Sequence, residues 1–277
     1  MLATFTTSHR LGLLAAGASL ALWMMSCSSS VRRREEVSII TVDQELALGK
    51  LCAAEVVRSY PMLADTQAEA YVTRMGRRLA ARSEWAGLSF TFRVIDSEEV
   101  YSFSLPGGHV FVSRGMVETV ESAAELAAVL AHEVAHVAAR HGAEQVSRRY
   151  GLALVTESLL GANPAIGRRI VAELFTPQGI LAYGHHAERE ADQAAIAYMQ
   201  RVGYDPHGLL RLVERMRTLE EQSPHAVGKW RVTHQSAKER LRRIKGELRG
   251  VPVVEGLVSD EPELHAIQAR LQGGSKR

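Results

Sequence analysis

The chain has 277 residues, of which 46% are hydrophobic and 23% are charged, a composition that is typical of globular proteins and excludes a largely disordered chain. Its 33 basic and 31 acidic residues nearly cancel, so we expect no nucleic-acid partner. The two cysteines, Cys27 and Cys52, are too few for a disulfide framework or a cysteine-rich zinc module, whereas the 11 histidines favour chemistry that depends on imidazoles.

The first 26 residues have the pattern of a secretory signal. Residues 1–10 contain Arg10 and no acidic residue, and residues 11–25 are an uninterrupted run of apolar or small residues. As a helix this run would rise about 22 Å, less than the roughly 30 Å of a hydrocarbon core. A cleaved signal is therefore favoured, and an uncleaved membrane anchor is the alternative.

Cys27 follows the apolar run directly, in the sequence SCSSS, which resembles a bacterial lipoprotein signal. The resemblance implies that Cys27 becomes a lipidated N-terminus after cleavage, and Ser28 at the next position implies the outer membrane. Residues 27–40 would then form a charged linker to a membrane-tethered soluble domain. Cys52, in an apolar setting, is expected to be a buried, unreactive thiol.

Apolar spacing along the rest of the chain predicts mostly helices. Two are predicted near residues 43–60 and 65–82, followed by strands at 88–95 and 109–112 on either side of a Pro-Gly-Gly turn. Further helices are predicted at 187–201, 206–219 and 238–248. Residues 151–184 are expected to form broken helices over a pocket, and residues 251–277 a partly ordered tail. The predicted fold class is α+β, mainly helical, with a small sheet.

A long Ala- and Leu-rich helix is predicted to begin after Ser122, with Glu125 in a capping box, and to end near Gly142. Within it, His132 and His136 are four residues apart and therefore project from the same face.

Two imidazoles on one helix face can bind one metal ion. Glu133, one step round the helix, could then face a metal-bound water without binding the metal. This arrangement suits hydrolysis of an amide by zinc, because the metal acidifies the water and the carboxylate accepts its proton. The alternative is a buried helix with two incidental histidines.

A catalytic zinc usually has three protein ligands. Ala139 and Gly142 occupy the places of the Gly and the last His of HExxHxxGxxH, which excludes that pattern. His141 lies about 140° round the helix from His136 and is not expected to bind the metal.

The acidic segment HHAEREAD, residues 185–192, is the better source of a third ligand. Glu188 and Asp192 share a helix face, so Glu188 could bind the metal while Asp192 accepts the second ring N–H of a ligand histidine. By spacing alone, His185 is a rival ligand. The alternative for the whole segment is a solvated helix face.

Several short motifs in order together resemble peptidase family M48, a family of zinc metallopeptidases. They are HEVAH from His132, EREAD from Glu188 and GYDP from Gly203. The resemblance continues in FSLPGGHVFV at residues 103–112, in Arg140-His141 and in Thr233-His234, and covers about residues 40–248.

The resemblance implies a zincin-like metalloprotease domain over residues 41–250 that holds one zinc ion per chain. The implied zinc ligands are His132, His136 and Glu188. The resemblance further implies that Glu133 is the general base and that Asp192 supports a ligand histidine.

His234 has two implied roles. In some relatives a histidine at this place approaches the zinc and closes the site, or helps to stabilise the oxyanion; a surface histidine is the alternative. The strand that contains Phe111 is expected to be an edge that pairs with an extended substrate. Gly184-His185 and Tyr101 depart from the Ser-Arg and Asn of relatives, and both departures lie near the expected cleft. Some relatives also carry a helical-repeat domain, and because only 27 residues follow Gly250 we expect no such module here.

The leading hypothesis is a periplasmic, lipid-anchored zinc endopeptidase that cleaves misfolded or stalled envelope proteins. The alternative is a zinc-bound chaperone or assembly factor with latent or weak proteolysis. A structural zinc domain is a third hypothesis, and it predicts a closed fourth coordination position.

Overall fold

The computed structural model describes residues 40–160, 165–176, 179–251 and 255–274, all within the unit Ser38–Arg277. Three predicted features lie outside the described residues: the signal at residues 1–26, the predicted lipidation residue Cys27 and the linker as far as residue 39.

Three short strands form one sheet. They are β1 (Thr91–Ile95), β2 (Ser102–Leu105) and β3 (His109–Ser113), in the order β1-β3-β2. β3 is parallel to β1 and antiparallel to β2. Gly107 and Gly108 have φ values of 77° and 92°, which glycine adopts readily, and they reverse the chain between β2 and β3.

The expectation that the strand with Phe111 is an edge is therefore wrong. β3, which carries Phe111, is the central strand of the sheet, and β2 is an edge strand. The reason is the tight Pro-Gly-Gly turn, which folds the short strand before it back against β3 as a hairpin.

Helices make up most of the described chain, which confirms the predicted mainly helical α+β fold. They are α1 (Val42–Ser59), α2 (Thr66–Ala80), α3 (Arg114–Thr119), α4 (Ala123–Ala138), α5 (His141–Leu160), α6 (Ala165–Glu173), α7 (His185–Val202), α8 (His207–Gln222), α9 (Gly228–Thr233), α10 (Ala237–Leu248) and α11 (Pro262–Gly274). The backbone of α5 is not helical at Gly151, where φ is 67°.

α4 lies at the centre of the fold. Fifteen of its 16 residues are buried, and it packs against α2, α7, α8 and the sheet. Its many alanines permit this close approach on all sides. The side chains of α4 that can carry charge are therefore held away from bulk solvent, where electrostatic interactions are strong.

The ends of α4 differ in part from those predicted. Ser122 accepts a hydrogen bond from the backbone N–H of Glu125, as in the predicted capping box. The Glu125 carboxylate instead accepts from the backbone N–H of Glu121 and pairs with Arg215, so the capping box is only half formed. The helix stops at Ala138, not near Gly142, which lies inside α5. An added Cβ at Gly142 would lie 3.2 Å from the ring of Pro106, so this glycine permits close packing on the turn.

Within the segment predicted as a partly ordered tail, Pro262–Gly274 form the helix α11. Leu264, Ile267 and Leu271 recur at helical spacing in α11 and are buried against α2 and α3.

Cys52 is a buried free thiol, as predicted, and burial raises its pKa to about 12. In the described part of the chain, none of the helices has both the length and the apolar character needed to cross a membrane.

Candidate metal centre

Four buried side chains from three regions of the chain meet beside α4. His132 and His136 come from α4, Glu188 from the first turn of α7, and His234 from the residue that follows α9. Each offers one ligand atom, and these atoms all lie within 4.8 Å of one another. The fold therefore brings the predicted zinc ligands together and adds His234 to them.

The ligand atoms face a common point. The Nε2 atoms of His132 and His136 are 3.0 Å apart. Oε1 of Glu188 lies 3.3 Å from Nε2 of His136 and 3.8 Å from Nε2 of His132. Among the described residues, Oε1 of Glu188 and Nε2 of His234 form no hydrogen bond, so both are available to a cation.

The outer nitrogens of both α4 imidazoles have partners. Nδ1 of His132 lies 3.1 Å from Oδ1 of Asp192, and Nδ1 of His136 lies 2.9 Å from Nδ1 of His141. These contacts at Nδ1 fix the orientation of each ring, so that its Nε2 faces the cluster. This arrangement is common around zinc. This donor set of imidazoles and a carboxylate fits a zinc ion.

Arg240 supports Glu188 of the cluster and the neighbouring Asp192, and it was not singled out from the sequence. Its guanidinium is fully buried and donates to both carboxylate oxygens of Asp192, over 2.6 and 3.2 Å. It also lies 3.7 Å from Oε2 of Glu188. A signal was present: Arg240 precedes Ile244 and Leu248 at intervals of four, so it occupies the buried face of α10.

The two histidines of α4 have opposite electrostatic surroundings. Burial and the charge of Arg240 disfavour protonation of His132, but Asp192 and Glu188 outweigh them and raise its pKa to about 9. Burial lowers the pKa of His136 to about 3, although Glu188 opposes this effect. Without a metal, His132 is therefore cationic and His136 neutral at pH 7.

Glu133 is held as a carboxylate. Burial alone would raise its pKa, but the neighbouring imidazoles, first that of His234, lower it to about 2. Its Oε1 accepts a hydrogen bond from Ser102 over 2.7 Å, and its Oε2 accepts one from Ser104 over 3.0 Å. The residue predicted as general base is thus ionised, next to the cluster and outside the set of four ligand atoms.

His234 is buried, so the surface-histidine alternative is wrong. Its ring stacks on Trp230 with centroids 4.1 Å apart, and its Nδ1 is hydrogen bonded to the Thr233 hydroxyl. Its Nε2 lies 3.5 Å from Oε1 of Glu133. His234 therefore contacts both the predicted base and the cluster.

The rival ligand His185 is not part of the cluster. Its side chain is 77% exposed and contacts Gln235 and Glu239 at the surface. Tyr183, two residues earlier, stacks on the ring of His136 with centroids 4.0 Å apart. Part of the region predicted to cover a pocket therefore lies over a predicted ligand.

Comparisons with known proteins agree with this geometry. Peptidase family M48 matches residues 66–248, a range that includes the whole cluster. A putative beta-barrel assembly-enhancing protease of Vibrio cholerae is 30% identical over 247 residues, which are 84% of this chain and 50% of the relative.

Two further relatives come from a bacterium and a yeast. The beta-barrel assembly-enhancing protease of Yersinia pestis is 28% identical over 186 residues, or 64% of this chain and 38% of the relative. The mitochondrial metalloendopeptidase OMA1 of Schizosaccharomyces pombe is 30% identical over 220 residues, which are 78% of this chain and 64% of the relative. The chain thus spans between 38% and 64% of the length of these three relatives. Because the family match covers well over half of the chain, the protein is a member of peptidase family M48.

Proposed function

We propose that this protein is a zinc-dependent metalloendopeptidase. The observation that carries the proposal is the buried cluster of His132, His136 and Glu188 with the ionised Glu133 beside it. Membership of a peptidase family supports the same reaction class. A zinc ion bound to these residues would polarise the scissile carbonyl and acidify a water molecule.

The chain's own residues supply proton transfer and orientation. Glu133 accepts the proton of the attacking water and delivers it to the leaving amine. His234, which lies 3.5 Å from Glu133, donates a hydrogen bond to the developing oxyanion. Asp192 and His141 hold the two α4 imidazoles in orientation.

The proposed substrates are unfolded or misassembled envelope proteins. β2 is an edge strand beside α4, and an extended substrate segment could pair with its backbone without regard to sequence. Two bacterial relatives are named for enhancing β-barrel assembly, which supports a periplasmic role. The proposed lipid anchor on Cys27 and the outer-membrane location rest on the signal-like N-terminus.

A chaperone or assembly factor with latent proteolysis is the second candidate. Two observations favour it: His234 offers a fourth ligand atom to the cluster, and Tyr183 lies over His136. A site filled in this way would have to open before a substrate carbonyl could enter.

The proposal is tested with Glu133→Gln in the purified protein. We expect the variant to keep its metal, identified as zinc by elemental analysis, and to lose cleavage of an unfolded casein-type substrate by at least about 100-fold, because the general base is removed. Glu221→Gln, on the exposed face of α8, is the matched control and should retain activity.

One combination of results would contradict the endopeptidase proposal. If metal-loaded wild type cleaves no unfolded substrate and Glu133→Gln still complements a deletion strain, the endopeptidase proposal fails and the chaperone candidate replaces it.

A further inference from the structure

Strand β2 presents two serine hydroxyls to α4. Ser102 and Ser104 are two residues apart and therefore point to the same face of the strand. The two residues are 1% and 2% exposed. The alternate residues, Phe103 and Leu105, belong to the apolar cluster on the opposite side of the sheet.

Both hydroxyls donate to one carboxylate. Ser102 binds Oε1 of Glu133 over 2.7 Å, and Ser104 binds Oε2 over 3.0 Å. A buried hydroxyl costs free energy unless it is hydrogen bonded, and a buried carboxylate needs donors for the same reason. The two serine hydroxyls and the Glu133 carboxylate therefore stabilise one another in this part of the core.

Two donors on different oxygens restrain the carboxylate more than one donor would. They fix the plane of the group, because its rotation would break both hydrogen bonds. Each oxygen can still accept another hydrogen bond, so the group remains able to take a proton. A base that is held in its reactive orientation loses less entropy during reaction.

We infer that Ser102 and Ser104 are positioning residues that hold Glu133 in its reactive orientation. This inference rests on the proposed function, in which Glu133 is the general base. It assigns β2 a second role beside substrate pairing, since the same edge strand also orients the base.

The activity arm of the test compares Ser102→Ala, Ser104→Ala and the double variant with wild type. We expect kcat to fall by about 10- to 100-fold while KM changes less than about twofold, because binding is kept and orientation is lost. Metal content should not change. Ser113→Ala is the control: this buried β3 serine accepts hydrogen bonds from the backbone of Tyr101 and Met116, so its loss should lower the Tm and spare kcat.

The stability arm does not depend on peptidase activity. In a double-mutant cycle, Ser102→Ala should lower the Tm of wild type but should not lower that of Glu133→Ala, because the Ser102 hydroxyl there has lost its acceptor. An unchanged kcat in the double serine variant, or equal Tm losses in both backgrounds, would overturn the inference. A metal-loaded wild type without activity would instead refute the proposed function, and the cycle alone would then decide whether the serines act through Glu133.

Discussion

Arg240 is a fully buried cation that lies against both buried acids of the metal centre, Asp192 and Glu188. It donates to both oxygens of Asp192 and lies 3.7 Å from Glu188, and all three groups are buried. Desolvated carboxylates of this kind are tolerated only when an opposite charge and hydrogen bonds compensate them. The contact also ties α10 to the His132 side of the cluster through Asp192.

Replacing Arg240 by Met keeps most of the side-chain length and removes the charge. We expect the free energy of unfolding to fall by about 3–5 kcal/mol, because Asp192 and Glu188 lose a fully buried compensating charge and Arg243 remains as a partner of Asp192 alone. Denaturant unfolding of the metal-free protein measures this loss. Arg242→Met, on the exposed side of the same helix, should change stability by less than about 0.5 kcal/mol. Equal stabilities of the two variants would contradict the assigned role.

The opposite protonation of His132 and His136 predicts how metal binding responds to pH. His132, with a pKa of about 9, carries a proton at pH 7 that a metal must displace, whereas His136, with a pKa of about 3, carries none. Apparent metal affinity should therefore rise about tenfold per pH unit from pH 7 to 9 and level off above.

Calorimetric titration in buffers of different ionisation enthalpy tests this prediction. Binding of zinc at pH 7 should release close to one proton. In Asp192→Asn the release should fall, since Asp192 raises the pKa of His132. Release of no proton by wild type would show that His132 is neutral in the metal-free protein.

At the scale of elements, α1 packs closely on the turn between β2 and β3. A Cβ added to Gly49 of α1 would lie 2.0 Å from the carbonyl oxygen of Pro106, which is a backbone atom and cannot rotate away. Glycine is needed there because the turn leaves no room for a side chain. This contact supports the hairpin whose first strand carries Ser102 and Ser104.

Gly49→Ala should therefore destabilise the protein although alanine favours helices. We expect a loss of about 1–3 kcal/mol from overpacking, measured by thermal or denaturant unfolding. The matched control is Gly246→Ala in α10, where no heavy atom lies within 4 Å of the added Cβ. That variant should gain about 0.5–1 kcal/mol, since only helix propensity changes. Stabilisation by both substitutions would show that α1 does not pack closely on the turn.

For the whole molecule, the proposed anchor decides where the protein works. Mass spectrometry of the N-terminus of membrane-extracted protein should find an acylated Cys27, and Cys27→Ser should release the protein into the soluble fraction. Cys52→Ser is the control, because Cys52 lies 25 residues further along the chain and its thiol is buried. An intact Met1 on the isolated protein would contradict the lipoprotein prediction.

Local pattern was sufficient for much of the fold. The long helices were predictable because each buries an apolar stripe at regular spacing, and His132, His136 and Glu188 stood out because four-residue intervals place ligands on one helix face. Short elements were missed: β2 has four residues, and α3 and α9 have six each. Segments of that length contain too few residues for a period to appear.

By itself, the sequence determined most of the long helices, the metal-ligand motifs and the family resemblance, because these depend on residues that are close together in the chain. Only the tertiary structure decided which distant residues meet. Arg240 contacts Asp192 from 48 positions away, His234 lies 3.5 Å from Glu133, and Ser102 and Ser104 reach Glu133 through a hairpin that makes β2 an edge strand. Such pairings arise from packing around α4, because a buried charged group is costly unless a partner compensates it.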